Sequence, residues 1–119
     1  AAAGGTGFGV YQAAADAGKL AIGVDSNQNH LQPGTMLTSM VKRVGVAAYE
    51  SYAAAQNGTW SAGVSVMGLA EGGVDWALDE HNRALVTADM EDKVNAIKAS
   101  IIAGDITVHD YMSDNTCNY

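Results

Sequence analysis

The stretch GGTGFGVYQAAADAGKLAIGVDSNQ, residues 4–28, decides the fold. Its glycine cluster leads into an alanine-rich segment, residues 9–17, and Gly18 behind that segment predicts a helix ended by a glycine. The apolar run LAIGVD then predicts a buried strand that ends at Asp25. Glycines, a helix, a strand and an acid about 20 residues on are the order found in dinucleotide-binding sites. The stretch therefore predicts an α/β unit with a ligand site at one end of its strand.

The rest of the chain continues this alternation of strands and helices. Strands are predicted at residues 36–40 and 63–69, and a further short strand at 105–108. Between the first two, small and apolar residues recur every three or four positions over residues 42–56, which predicts an amphipathic helix. Strands that alternate with helices across short links indicate an α/β fold with a mostly parallel sheet.

The last helix has the clearest pattern. Thr87 or Asp89 is its expected N-cap and Gly104 its C-cap. Its apolar stripe has helical spacing and consists of Met90, Val94, Ile97 and Ile101. The polar segment before this helix, residues 70–87, contains DWALDEH, which predicts a solvated acidic surface with Trp76 turned inward.

Composition limits the kinds of partner. The formal net charge is −7 and only six Lys and Arg residues are spread along 119 positions, so a nucleic-acid backbone is excluded as a partner and a small molecule is favoured. The lone Cys117 cannot form an internal disulfide. The chain starts with AAAGG, without the four or more β-formers that normally precede such a glycine turn, so we expect it to be the C-terminal part of a larger protein.

Two side chains are candidates for ligand contacts. Asp25, at a strand end, could accept two hydrogen bonds from a ribose diol, although an N-cap or Asx-turn role is the commoner use of such an aspartate. Lys42 follows the predicted strand 36–40 and could donate to the same ligand, although a lysine before a helix is usually solvated. The glycine cluster departs from G-x-G-x-x-G because Val10 stands where the third glycine is needed. The three histidines have no second ligand at metal spacing, so neither a metal site nor a catalytic centre is predicted.

Three stretches together resemble one family. AAAGGTGFGVYQAAADAGKLAIGVDSNQ, QPGTMLTSMVKRVGVAAYES and MGLAEGGVDWAL, with the ending VNAIKASIIAGDITV, look like the C-terminal third of the basic membrane lipoproteins, in order and with family-like spacing. These are the substrate-binding lipoproteins of purine-nucleoside ABC importers. The resemblance implies a parallel-sheet, three-layer fragment of a type I periplasmic-binding-protein-like fold, with residues 1–108 forming parts of both lobes and crossing between them near residues 36–44. Residues 109–119 are expected to be a polar tail.

The same resemblance assigns residues and partners. The turn Gly4, Gly5, Thr6, with Gly7 behind it, would offer backbone groups to a nucleoside, Asp25 would hold the ribose hydroxyls, and Lys42 would donate a hydrogen bond. The glycine loop at Gly72 would line the rim. The implied protein is not an enzyme, has no cofactor, partners an ABC permease and lies outside the cytoplasm in the cell envelope. A homo-oligomer or a complementing chain is expected to supply what this chain lacks.

Two other interpretations stay open from the sequence. A fragment of a dinucleotide-dependent oxidoreductase would use the glycine turn for pyrophosphate. A structural α/β fragment would retain no activity. Phosphate recognition distinguishes the first alternative from a nucleoside site, because a dinucleotide carries a pyrophosphate that the site must bind and a nucleoside carries none.

Overall fold

Four helices and three strands make up the chain in a computed structural model that describes residues 2–117. The helices are α1 (Gly7–Asp16), α2 (Val44–Gln56), α3 (Ala88–Ala103) and α4 (Tyr111–Asp114). The strands are β1 (Ala21–Asp25), β2 (Met36–Lys42) and β3 (Val74–Trp76), and short 3-10 turns lie at Gly4–Thr6 and Asn29–Leu31. The α/β class predicted from the sequence is confirmed.

The three strands form one sheet in the order β1-β2-β3. β1 and β2 are parallel, with Asp25 opposite Val41, and β3 runs antiparallel to β2, with Asp75 opposite Val41 on the other side. The chain enters β3 from Gly73, whose carbonyl oxygen accepts a hydrogen bond from the Arg43 amide just beyond β2, so β3 has to run back along β2. The carboxyl ends of β1 and β2 and the start of β3 therefore share one edge.

Helices cover both faces of this sheet, to different extents. On one face Tyr11 of α1 packs with Ala21 and Met36 in a small buried core. On the other face α3 lies across a groove from Met40 and Trp76. Ala21 and its neighbour Ile22 point to opposite faces, and the strand register shifts between them, since Met36 pairs with Ala21 but Thr38 with Ile22. This irregularity puts Met36 and Met40 on opposite faces, so the layers are α1, sheet and α3. The predicted three-layer arrangement is present, with much less core on the α3 side.

The ends of α3 agree with the sequence. The Thr87 hydroxyl accepts a hydrogen bond from the Met90 amide at 3.3 Å, which makes Thr87 the N-cap. Gly104 ends the helix with φ of 82°, in the left-handed region that glycine adopts most readily. Its apolar stripe, however, is only partly covered, and Ile97 is more than half exposed.

Three sequence predictions are wrong in detail. Residues 63–69 lie outside the sheet, with Val64 96% and Val66 84% exposed, because a strand needs a neighbour and none is beside this segment within residues 2–117. Residues 105–108 are likewise not a strand. Lys42 ends β2, and the helix predicted from residue 42 begins two residues later.

The predicted polar tail contains the short helix α4, capped by the Asp110 side chain, which accepts a hydrogen bond from the Met112 amide at 2.9 Å. The last two residues of that tail lie outside the described residues. Among the helices that the structure describes, none has the length and apolar character needed to cross a membrane.

Candidate functional site

Asp25 and Lys42 meet at the carboxyl edge of the parallel pair. Each is the last residue of its strand, and the Lys42 ammonium lies 2.6 Å from Oδ1 of Asp25. Both side chains are open to solvent, with 59% of Asp25 and 56% of Lys42 exposed. The sequence proposed each of them separately for the same ligand, and the fold places them in direct contact.

The backbone at Asp25 is strained. Its φ is 74°, in a region that residues other than glycine rarely adopt, although aspartate tolerates it better than most. The Ser26 amide donates to the Val24 carbonyl oxygen at 3.0 Å, which closes a three-residue γ-turn around Asp25. Strain of this kind concentrates at functional sites, where the surrounding structure holds it in place. The turn points the carboxylate away from the strand and toward Lys42.

The glycine turn lies at the same edge. Gly4, Gly5 and Thr6 form an exposed 3-10 turn immediately before α1, and α1 runs back along the sheet so that its first turns face the loop after β1. The Tyr11 hydroxyl confirms this placement, because it donates to Oε1 of Gln28 in that loop. The turn and Asp25 therefore lie at one end of the unit, as the sequence predicts.

Gly72 also lies at this edge, on the far side of β2. Its φ is 69°, and it sits in the turn before β3, whose first residue, Val74, pairs with Lys42. A Cβ on the next residue, Gly73, would lie 2.4 Å from the Met67 carbonyl oxygen, so only glycine fits there. Gly73 and Lys42 line a 270 Å³ cavity beside the start of α2, whereas Gly72 forms part of the turn leading into it.

A second carboxylate beside the site joins three elements. Asp75 of β3 receives hydrogen bonds from Lys98 of α3 at 2.8 Å to each oxygen, and from Arg43 at 3.0 Å. Burial works to raise the pKa of the Asp75 carboxyl, but the hydrogen bonds from Lys98 and from the Trp76 amide, with the positive charges around it, hold that pKa below its ordinary value. Asp75 thereby anchors α3 and the start of α2 to the sheet, next to Lys42.

Behind the edge, a buried polar network ties the loop after β1 to the segment after β3. Asn29 and Ser39 are both fully buried, and the Ser39 hydroxyl donates to Oδ1 of Asn29 at 2.8 Å. The amide nitrogens of the Asn27 and Asn29 side chains both donate to Oδ2 of Asp79, at 2.6 and 3.0 Å. The network therefore fixes the loop that follows the Asp25 turn.

Asn82 closes the same network from the other side. Its side chain is fully buried, donates to the carbonyl oxygens of Leu37 and Ala77, and accepts from the Asp79 amide at 2.8 Å. In the described part of the chain, every buried side-chain nitrogen or oxygen has a hydrogen-bond partner. A fully satisfied buried network favours one geometry over the alternatives.

Asp79 carries the charge of this network. Burial works to raise the pKa of its carboxyl, but the hydrogen bonds from Asn27, from the His81 amide and from Asn29 hold the pKa below its ordinary value. The prediction of a solvated acidic segment at residues 75–81 is therefore wrong for both aspartates, which are half-buried and bonded to partners. Sequence analysis missed the three asparagines that bond to Asp79, which are Asn27, Asn29 and Asn82. Hydrophobic periodicity does not reveal them, because it carries no information about polar side chains that meet across the fold.

The site contains groups for binding. Across residues 2–117, no group of three or more His, Cys, Asp and Glu side chains is arranged to hold a metal ion. Of the two aromatic side chains on α1, Tyr11 is buried in the core, whereas Phe8 is exposed and packs edge to face on Tyr11. What the edge offers a ligand is one carboxylate, one ammonium, backbone at two glycine turns and one aromatic ring.

The chain matches the family model of ABC transporter substrate-binding proteins, PnrA-like, over residues 1–111. It is 35% identical over 112 residues to Basic membrane protein B of Borrelia garinii subsp. bavariensis. This alignment covers 90% of this chain and 30% of that protein. It is 41% identical over 61 residues to an uncharacterized lipoprotein of Pyrococcus abyssi, covering 50% of this chain and 15% of the relative. The chain thus spans under a third of the length of these relatives.

A solved structure has a similar fold. The crystal structure of an ABC transporter solute-binding protein from Aeropyrum pernix K1 superposes with a TM-score of 0.62 at 24% identity, covering 89% of this chain and 38% of that one. With the family match, this likeness supports the fold predicted from the resemblance. The chain belongs to the PnrA-like family of ABC transporter substrate-binding proteins, which is a family of transport components and not of enzymes.

Proposed function

We propose that this chain forms one wall of a purine-nucleoside site in the substrate-binding component of an ABC importer. The observation that carries the proposal is the Asp25–Lys42 pair, an acceptor and a donor 2.6 Å apart at an exposed strand edge. Neighbouring hydroxyls of a ribose can donate to the carboxylate and accept from the ammonium at the same time. Hydrogen bonds to charged groups of this kind contribute about 1.5–3 kcal/mol each.

A neutral ligand suits this edge better than a phosphorylated one. The carboxylate of Asp25 lies at the same end of the unit as the glycine turn, and the chain carries a net charge of −7. Both features oppose a pyrophosphate at the turn. The family match likewise favours a transport component over the oxidoreductase alternative.

The remaining proposed contacts surround this pair. Gly4, Gly5 and Thr6 would bring backbone groups to the ligand from the α1 side, and Gly72 would line the rim from the β3 side. Neither glycine turn can carry a bulky side chain near the ligand without strain at Gly4 or Gly72, where φ is 54° and 69°. These assignments rest on the resemblance and on the shared edge.

The proposed site needs a second wall and a membrane partner. A cleft that excludes water requires two walls, and the edge at Asp25 forms one of them. The second wall would come from a complementing chain or from another copy in a homo-oligomer. The proposed destination is the ABC permease of the importer. Because relatives of this chain are named lipoproteins and the family serves ABC transporters, we place the protein in the cell envelope, outside the cytoplasm.

The test is a titration of the 119-residue chain with nucleosides, in which NMR reports the residues affected and calorimetry measures the affinity. We expect guanosine, adenosine or inosine to shift the amide signals of Asp25, Lys42 and the glycine turn, with affinity weaker than about 1 µM because one wall alone leaves the ligand solvated. The 2′-deoxynucleosides are expected to bind about 10-fold more weakly, since they leave one acceptor without its donor. Sub-micromolar guanosine binding would contradict the one-wall proposal, and tighter binding of NAD would contradict the transport function.

A matched control isolates the site from general surface charge. Asp89 and Lys93 form another exposed ion pair at 2.8 Å on α3. Asp25→Asn is expected to abolish the nucleoside response, whereas Asp89→Asn leaves it unchanged. Equal losses in the two variants would show that the response does not come from the strand edge.

A further inference from the structure

The loop that follows Asp25 folds back over its own strand. It passes Gly23 of β1, where an added Cβ would lie 2.5 Å from the Ser39 hydroxyl oxygen and 3.2 Å from Cβ of Gln28. A glycine inside a strand commonly marks such a close approach of two pieces of chain. The missing side chain at Gly23 therefore makes room for the loop to lie against the sheet.

The Ser39 hydroxyl holds the loop in that place. Ser39 is fully buried on β2 and pairs with Gly23 of β1. Its oxygen accepts a hydrogen bond from the Gln28 amide at 3.0 Å and donates one to Oδ1 of Asn29 at 2.8 Å. One hydroxyl thus serves as acceptor and donor for two consecutive residues of the loop.

Asp25 lies where β1 ends and this loop begins. It still pairs with Val41 in the sheet, and the loop returns to the sheet at Gln28, three residues later. The strained turn, with φ of 74° at Asp25, lies between these two fixed points. Backbone strain persists only where the surrounding structure over-determines the conformation. The bond from Gln28 to Ser39 supplies that constraint on the loop side.

We propose that Ser39 is a positioning residue of the ligand site, whose hydroxyl holds the Asp25 turn so that the carboxylate faces the ribose diol. Ser39 is fully buried and has no surface from which to contact a ligand, so it acts through Asp25. The inference rests on the proposed function for the identity of the ligand. The effect of Ser39 on the Asp25 backbone requires no ligand and can be measured alone.

Positioning of this kind changes selectivity as well as affinity. In the proposed site the contact with the sugar hydroxyls passes through Asp25, whereas the contacts with the glycine turn do not. A loosened turn should therefore weaken ribonucleosides and leave their 2′-deoxy counterparts almost unchanged. A general loss of structure would weaken both classes equally.

The first experiment measures the Asp25 backbone by NMR without ligand. A positive φ brings the amide and α protons of one residue close together, which gives a strong NOE between them. We expect this NOE in the wild-type chain and its loss in Ser39→Ala, as the turn relaxes to negative φ. Ser39→Cys keeps the shape with a weaker donor and acceptor, and should reduce the NOE even if Ser39→Ala does not fold.

Thr38→Val is the matched control. It removes the neighbouring hydroxyl of β2, which donates to the Ala77 carbonyl oxygen at 2.8 Å and lines the groove on the α3 face. The Asp25 NOE should persist in this variant. An unchanged NOE in the folded Ser39 variants would overturn the proposal, and so would an equal loss in Thr38→Val.

The second experiment titrates the same chains with guanosine and 2′-deoxyguanosine. The wild-type chain and Thr38→Val should prefer guanosine about 10-fold, and the Ser39 variants about 2-fold or less, because the carboxylate no longer meets the 2′-hydroxyl. The affinity for 2′-deoxyguanosine should stay within about 2-fold of wild type. Equal weakening of both nucleosides would show a purely structural role for Ser39 and overturn the proposal.

The two measurements separate this inference from the proposed function. A wild-type chain that binds no nucleoside would overturn the proposed function, and the NOE alone would then decide whether Ser39 sets the Asp25 turn. Ser39 variants that lose the NOE but keep the preference for guanosine would overturn the positioning role and leave the nucleoside site standing.

Discussion

The two faces of the sheet differ in how far this chain completes them. On the α1 face, Tyr11 and Met36 are almost fully buried, and the polar groups behind them are bonded to one another. On the α3 face, Met40 and Ile97 stay partly exposed across a groove. The difference shows that the residues present bury the apolar side chains of the α1 face, whereas the apolar side chains of the α3 face stay partly exposed to solvent.

The largest contrast is expected between two methionines of the same strand. Met36→Ala removes a fully buried side chain and should lower the free energy of unfolding by about 3 kcal/mol, from lost burial and the cavity left behind. Met40→Ala, 37% exposed on the other face, should lower it by less than about 1 kcal/mol. Urea unfolding, followed by circular dichroism, measures both losses. Equal losses would break the comparison of the two faces.

The next effect concerns the polar network of the α1 face. Asn82→Ala leaves the Asp79 amide and two carbonyl oxygens without their partner, and should lower the free energy of unfolding by about 2 kcal/mol. Asn95→Ala on α3, which removes one long 3.4 Å contact from Trp76, should change it by less than about 0.5 kcal/mol. The same denaturant series measures both, and a larger loss at Asn95 would assign the stability to the α3 face.

A smaller effect is expected with pH. Asp75 and Asp79 have folded-state pKa values below their ordinary value, so their contribution to stability is present above the unfolded pKa, about 3.9, and is lost as the pH falls through the folded pKa. The unfolding midpoint should therefore drop below about pH 4. Asp79→Asn and Asp75→Asn should each flatten that drop, and Asp89→Asn should not. An unchanged acid profile in both variants would show that neither carboxylate is linked to folding.

The smallest stability effect is expected at the proposed site. Asp25→Asn removes an exposed ion pair, and asparagine tolerates the left-handed backbone, so the free energy of unfolding should change by less than about 0.5 kcal/mol. Nucleoside binding should nevertheless be lost. Thermal unfolding and titration on the same samples separate the two readouts, and a large stability loss would reassign Asp25 to a structural role.

Local signals in the sequence predicted those features that depend on a few neighbouring residues. Thr87 and Gly104 mark the ends of α3 because capping is a local hydrogen-bond problem. The strand ending at Asp25 was predicted because five consecutive residues carry its pattern. The proximity of Asp25 to Lys42 followed from the rule that parallel strands share a carboxyl edge.

The misses are features that depend on what lies across space. Residues 63–69 have the pattern of a strand, but pairing depends on a neighbour that periodicity cannot supply. The three-residue strand β3 was not predicted because it lies in a polar segment of the sequence. Its Asp75 is stabilised by Arg43 and Lys98, which are distant in sequence. The network around Asp79 was missed for the same reason, since its partners lie about 50 residues away.

The Asp25–Lys42 ion pair also determines how ligand affinity depends on ionic strength. A ligand that uses both groups has to displace the contact between them, so the pair acts as an internal competitor that occupies the site before the ligand arrives. Added salt screens exposed ion pairs and would weaken this competitor without weakening a neutral ligand. Binding of an uncharged sugar at this edge should therefore hold or strengthen as ionic strength rises, the reverse of the behaviour of an anionic ligand.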